Sequence, residues 1–218
     1  MGGEWKMAKN ERAQEQVIEI PAINIKKIKI TIVGDSSLIV HRFDEKSKQQ
    51  MLDKQTKKAK SGREAKVPVR DFIESVYWLS NKPTEYTEEA FDKAIKAGAK
   101  FGFPSTAFKA SAVSAGYRGG VTSDKVSSNG AFHIDGEFVE IDSIPEMRED
   151  MVRLNGRSAD IRYRGEFKNW EATFVVKYNA NVFSAEQIVN LFNLGGFACG
   201  IGEWRPEKGG SHGMYHVK

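Results

Sequence analysis

Four histidines, His41, His133, His212 and His216, and the acids Asp35, Asp44 and Glu203 are the side chains here with the means for acid–base chemistry. An imidazole titrates near neutral pH and can pass protons to and from a substrate hydroxyl or phosphate without a metal. Spacing decides how far that reading goes. His212 and His216 fall where an extended strand would put them on one face, so their rings could pair, but solvated histidines near the end of the chain are the plainer reading. Asp35, in a loop after the first apolar strand, and His41 are the remaining catalytic candidates, and neither has a companion motif. Glu203, beside Arg205, reads as half of a local ion pair. There is no Walker loop and no Gly-x-Ser-x-Gly, and Gly200-Ile201-Gly202 lacks the strand-then-helix setting of a dinucleotide site. The single cysteine, Cys199, excludes an internal disulfide framework and a cysteine-built zinc site. Neither cofactor nor metal is expected, and binding is favoured over catalysis.

The chemistry of binding is better represented. Seven of the twenty glycines, Gly200 and Gly202 among them, fall in the stretch from Gly195 to Gly213, which also carries Trp204, Arg205 and Lys208. Glycine permits positive φ and close approach of backbone to something bulky. Such a loop could cradle a phosphate backbone while Trp204 stacks a base, or it could be a hairpin with no ligand. Residues 44–66 form a lysine-rich run that includes Lys57, Lys58 and Lys66, with few acids and little apolar content. A solvated surface helix is one reading of it, and a basic arm along a phosphate backbone is the other. Arg162 and Arg164 would share one face of an extended chain, with Tyr163 on the opposite face. Pro104 followed by Ser105 and Thr106 marks a helix start, whose free N–H groups suit an anion, with Lys109 one turn further in and Arg118 closing the segment.

The elements that must position these groups follow from periodicity. Isoleucines alternate with polar residues over 28–33, which predicts a strand; Gly34 to Ser37 interrupts it and Leu38–Val40 resumes it after a turn or bulge. Residues 44–62 look helical. Residues 71–79 and 87–97 show helical spacing, with Thr87 as a cap for the second. The alanine- and serine-rich segment from Thr106 to Tyr117 predicts a helix able to lie very close to another backbone. Gly119-Gly120, Asn129-Gly130 and Asp135-Gly136 separate short apolar segments at 131–134 and 137–141, predicting a hairpin or projecting β insertion. Trp170 to Tyr178 alternates cleanly, Ser184 and Gln187 form a capping box for a helix to Leu194, and a short strand spans 214–217.

Length fits one domain, residues 17–218, behind a polar arm at 1–16 and with insertions at about 44–100 and 119–150. No apolar run approaches a membrane span and no leader is visible, so a cytoplasmic protein without a membrane partner is expected. The net charge of +4 and pI near 9.0 permit a nucleic-acid partner without demanding one.

In order, the core elements read strand, helix, hairpin material, strand, helix, strand. That is an α+β chain compatible with βαββαβ, the ferredoxin-like arrangement of RRM type, with a helical basic insertion and a β-hairpin insertion. The arrangement resembles the RAMP superfamily, RRM-like proteins that form the guide-RNA-binding backbone of CRISPR effector complexes. Phe103-Pro104-Ser105-Thr106-Ala107-Phe108-Lys109-Ala110 is similar to that family's opening of the first core helix. The stretch from Gly200-Ile201-Gly202-Glu203-Trp204-Arg205-Pro206 to Gly213 is similar to its glycine-rich loop and has the same place in the order of elements. Ser105 stands where the family usually has glycine, and Glu203 to Pro206 form an insert in the loop. The resemblance implies single-stranded RNA binding through Lys109, the loop and nearby basic residues, with head-to-tail assembly or other effector subunits along the RNA. Some members cleave target RNA with a loop aspartate and a metal, and Asp35 lies in a loop after the first strand. The alternatives are a phage single-stranded DNA-binding protein, an endoribonuclease, and a self-assembling structural protein in which Trp204 and Arg205 anchor an interface.

Overall fold

The computed structural model describes residues 21–43, 45–56, 65–154 and 158–218. The polar arm at 1–16, Asp44, Lys57 and Lys58 lie outside the described residues. The chain is α+β. Its larger sheet is antiparallel, in the order β10 (Tyr215–Val217), β1 (Ile25–Gly34), β9 (Glu171–Asn179), β6 (Phe138–Asp142), β4 (Lys100–Pro104), β3 (Trp78–Ser80), with β5 (Phe132–Ile134) also on β9. A smaller antiparallel sheet joins β2 (Leu38–Val40), β8 (Ser158–Phe167) and β7 (Glu146–Leu154).

Period-two alternation builds the centre of the larger sheet. Ile30 and Ile32 of β1 and Ala172, Phe174, Val176 and Tyr178 of β9 point into the core, and the intervening side chains face away from it. On the core side lie α4 (Ser105–Arg118) and α6 (Ala185–Ala198). Small residues bring these helices together: a Cβ on Gly195 would lie 2.9 Å from the backbone nitrogen of Ala112. α6 starts with the expected capping box, Ser184 Oγ accepting from Gln187 N and Gln187 Oε1 accepting from Ser184 N. One buried cluster runs from Ile30 and Phe174 through Phe108 and Phe192 to Leu38, Ile73 and Phe167, so both sheets share it. The remaining helices are α1 (Glu45–Gln55), α2 (Pro68–Ser75), α3 (Glu88–Lys96), capped by Thr87, and α5 (Lys125–Ala131). Among the described residues no helix is long and apolar enough to cross a membrane.

Five expectations need correction. Leu38–Val40 does not resume the first strand but crosses to the smaller sheet; Gly34 packs so closely on Trp170 that a Cβ would lie 2.2 Å from its Nε1, and the chain turns there. The helix predicted over 71–79 starts earlier and stops at Ser75, whose Oγ donates to Phe72 O and accepts from Gly165 N, and the chain continues into β3. In residues 119–150, Asn129-Gly130 lies inside α5, capped by Asp124. Asp135-Gly136 is no hairpin turn: β5 and β6 follow one another along β9 as a single interrupted line, and the hairpin is β7–β8. Finally, α6 runs through Gly195 and Gly196 to Ala198, because a helix packed this tightly needs glycine where it meets Ala112 and where a Cβ on Gly196 would sit 1.8 Å from Tyr215 O.

Candidate nucleic-acid interface

The chain leaves α6 at Cys199, and the loop that follows folds back on the turn between β1 and β2. Glu203 N donates to Ile39 O at 2.9 Å, Gly213 N to Ser37 O at 2.8 Å, and His212 N to Trp204 O at 3.0 Å. Gly200, Gly202, Gly209 and Gly213 all take positive φ. A Cβ on Gly202 would lie 2.5 Å from Ile39 O, and one on Gly213 1.8 Å from Ile201 O, so the close approaches these glycines allow are to the chain itself. Trp204, a non-glycine residue at φ 52°, is 44% exposed at the outer bend of this loop.

A run of charged and polar side chains ties both ends of the loop to the β7–β8 hairpin. His212 Nδ1 lies 2.9 Å from Ser37 Oγ, which donates to Glu166 at 2.6 Å. Arg148 donates to both Glu166 and Asp150 at 2.9 Å, and Asp150 accepts from Arg164 at 3.1 Å. Arg164 in turn stands 3.8 Å from Glu203. Arg164 is 2% exposed, so the expected pair on one face of β8 divides: Arg162 reaches the surface and Arg164 becomes part of the interior. Glu203 pairs with Arg164 rather than Arg205, whose guanidinium donates to Glu207 and to Gly202 O. Burial alone would raise the carboxyl of Glu207, but bonds from Arg205 and Ser114 and the charges of Arg205 and Arg118 outweigh it and hold it below the usual range.

Beside this framework a groove crosses the surface. Its narrow end, about 200 Å³, lies between α4 and the glycine loop, lined by Tyr77, Phe103, Ala107, Ala110, Glu203 and Arg205 among others. Its wide end, about 490 Å³, lies over α2 and β8, where Arg42, Phe43, Lys66, Arg162 and Tyr163 line it together with Asp71 and Asp160. His41 and Glu203 line both ends and mark the junction. Aromatic and cationic groups both line it, the two kinds of side chain that take bases and phosphates. Its acids, Asp71, Asp160, Glu203 and Glu207, equal its cations, Arg42, Lys66, Arg162 and Arg205, in number, with Lys66 paired to Asp160 at 2.6 Å and Arg205 to Glu207 at 3.0 Å, so the groove carries no net formal charge.

Of the residues singled out in the sequence, Gly200, Gly202, Glu203, Arg205, Lys66, Arg162 and His41 meet at this groove. Others are engaged elsewhere. Ser105 Oγ donates to Gly136 O at 2.7 Å, while Thr106 is exposed beside it. Lys109 donates to Asn129 O at 2.6 Å and lies over the Phe132 ring, and burial lowers its pKa. Arg118 pairs with Glu207 at 3.0 Å, and Lys208 is exposed in a short 3-10 turn, Pro206–Lys208. His212 and His216 do not pair: His212 turns to Ser37, and His216 Nδ1 lies 2.6 Å from Asp35. Among the described residues no cluster of three or more His, Cys, Asp or Glu side chains is arranged to hold a metal ion. Sequence reading missed Arg42, Tyr77 and Tyr163 as groove residues, because nothing local separates them from ordinary surface or core positions.

No family model matches this chain, and no curated protein matches it. Among solved structures, the crystal structure of Cmr6 from Pyrococcus furiosus is similar at 10% sequence identity and a TM-score of 0.41, with 90% of this chain and 100% of that chain covered. A likeness at that level says nothing of function, which has to come from the groove.

Proposed function

We propose that this protein binds single-stranded nucleic acid, RNA in preference to DNA, as a RAMP-type protein that assembles along its ligand. The observation that carries the reading is the pair of adjoining clefts, joined at His41 and Glu203, whose walls combine the aromatic rings of Tyr77, Phe43 and Tyr163 with the cations Arg205, Arg42, Lys66 and Arg162. Stacking on aromatic faces and cations along a backbone are the two parts of sequence-tolerant single-strand binding. The strand order β10-β1-β9-β5/β6, with α4 and α6 on one side, supports the ferredoxin-like βαββαβ arrangement of a single domain, onto which β3 and β4 add at one edge. Motif resemblance at Phe103–Ala110 and Gly200–Gly213 supports RNA over DNA. Trp204, exposed on a strained backbone at φ 52°, would stack a base beyond the groove. Strain of this kind persists where surrounding structure over-determines it.

The test is fluorescence anisotropy with mixed-sequence single-stranded RNA and DNA over a range of salt. Replacing Arg162 and Arg205 together by alanine is expected to weaken RNA binding about tenfold and to flatten the salt slope by about 0.7 per cation removed. Unchanged affinity in the double variant would sink the reading. Ordered oligomers that form without nucleic acid and resist salt would move the assignment to self-assembly.

A further inference from the structure

We propose that the narrow end of the groove, between α4 and the glycine loop, is a nucleobase pocket selective for guanine. The inference rests on the single-strand reading above and specifies what part of the strand this end takes. At about 200 Å³ the cleft is smaller than sites for drug-sized ligands, which run about 300–1,000 Å³, and is on the scale of one planar base. Its wall is aromatic, with the Tyr77 and Phe103 rings edge to face at 5.5 Å. Ala107 and Ala110 keep the α4 side low, so a flat ring can lie against the helix. The loop backbone of Gly200, Ile201 and Gly202 closes the other side.

The polar rim supplies the selectivity. Glu203 lines the cleft where it joins the wide end, with its side chain 45% exposed, and its contact with Arg164 is a long one at 3.8 Å. Glu207, by contrast, is held at close range by Arg205, Arg118 and Ser114. A carboxylate only accepts hydrogen bonds, and its two oxygens match two adjacent donors. Among the four bases, only guanine presents two neighbouring donors, N1–H and the 2-amino group, on its pairing edge. Adenine and cytosine would put a ring-nitrogen lone pair against the carboxylate, and uracil a single N–H between two carbonyls. A carboxylate lining a one-base cleft therefore favours guanine and disfavours the rest.

The test uses the full chain and an eight-nucleotide uridine oligomer carrying one central guanosine, adenosine or inosine, the last lacking the 2-amino group. The expected result is that guanosine binds about tenfold more tightly than adenosine, with inosine between them. The guanosine-to-adenosine affinity ratio should fall towards one in Glu203→Gln, which removes the charge, and in Ala110→Leu, which fills the cleft without touching the ion pair to Arg164. A ratio near one in the unaltered protein, or a ratio that survives both substitutions, overturns the proposal while leaving single-strand binding intact. Failure of every oligomer to bind overturns the single-strand reading and this one with it. Guanosine monophosphate distinguishes the source of the base. If it displaces the guanosine oligomer only at millimolar concentration, the occupant is a base within a strand; if it binds alone at micromolar concentration while no oligomer competes, a free nucleotide is the ligand and the strand-bound pocket is refuted.

Discussion

Ser37 and His212, 175 positions apart in the chain, meet at 2.9 Å, and the same serine oxygen lies 2.6 Å from Glu166. A hydroxyl has one proton and a carboxylate accepts only, so Ser37 donates to Glu166 and accepts from the Nδ1–H of His212. The contact therefore fixes the imidazole tautomer and fastens the far end of the glycine loop to the β7–β8 hairpin. Together with the Arg164–Glu203 contact at the near end, it holds the loop at two points.

Ser37→Ala removes both hydrogen bonds at once. The expected cost is about 1–2 kcal/mol, a fall of roughly 2–4 °C per kcal/mol in the thermal midpoint of a chain this size. Hydrogen exchange at the Gly213 amide, which donates to Ser37 O, should quicken more than exchange in β9. Equal protection in the variant and the unaltered protein would show that the backbone contacts alone hold the loop.

Two glycines in helices should respond in opposite directions. A Cβ on Gly196 would lie 1.8 Å from a backbone oxygen, which no side-chain movement relieves, so Gly196→Ala should destabilise by about 3 kcal/mol or more. A Cβ on Gly130, inside α5, would meet nothing within 4 Å, and Gly130→Ala should stabilise by about 0.5–1 kcal/mol through helix propensity. Urea unfolding of both variants checks the pair, and similar midpoints would contradict the packing described for α6.

Arg164 is buried against Asp150, and its Nε has no hydrogen-bond partner among the described residues. Arg164→Ala strips Asp150 of a buried countercharge and is expected to cost about 3–5 kcal/mol. Arg164→Met, which keeps volume, should cost less than the alanine variant. Denaturant titration that ranks methionine below alanine would overturn the assignment of Arg164 to the interior.

Glu207 links α4 to the loop through Arg118, Arg205 and Ser114. Its folded pKa lies below its ordinary value, so the folded state favours the ionised carboxylate. The stability from this group is fully present above the ordinary glutamate value, near 4.5, and is lost as pH falls through the lower folded value. Glu207→Gln should therefore lower the thermal midpoint at pH 7 and reduce its acid sensitivity below pH 4.5. A variant that keeps the full acid-induced fall in midpoint would place that sensitivity in other carboxylates.

Short-range pattern carried much of the architecture. Alternation over 28–33 and 170–178, the Ser184/Gln187 box and the Pro104-Ser105-Thr106 start each encode an element within a few residues, and each element forms there, although α6 runs four residues past its expected end. Partnership between elements is not encoded that way. Whether Leu38–Val40 extends β1 or joins β8 depends on Gly34 packing against Trp170, 136 positions further on. Gly195 and Gly196 read as loop residues by composition, and their place in α6 follows from the backbones of α4 and β10 that they allow to approach. The groove shows the same division: its lining comes from segments around 41–43, 66–77, 103–111, 160–163 and 200–207, of which sequence motifs mark the third and the fifth while nothing local ties the others to them. Local pattern was enough for the residue types and for most of the elements that bear them. Packing settled that Arg162 lines the groove while Arg164, two residues on and on the same face of β8, lies under the glycine loop's Glu203, because only the folded chain sets how far along a strand the covering loop extends.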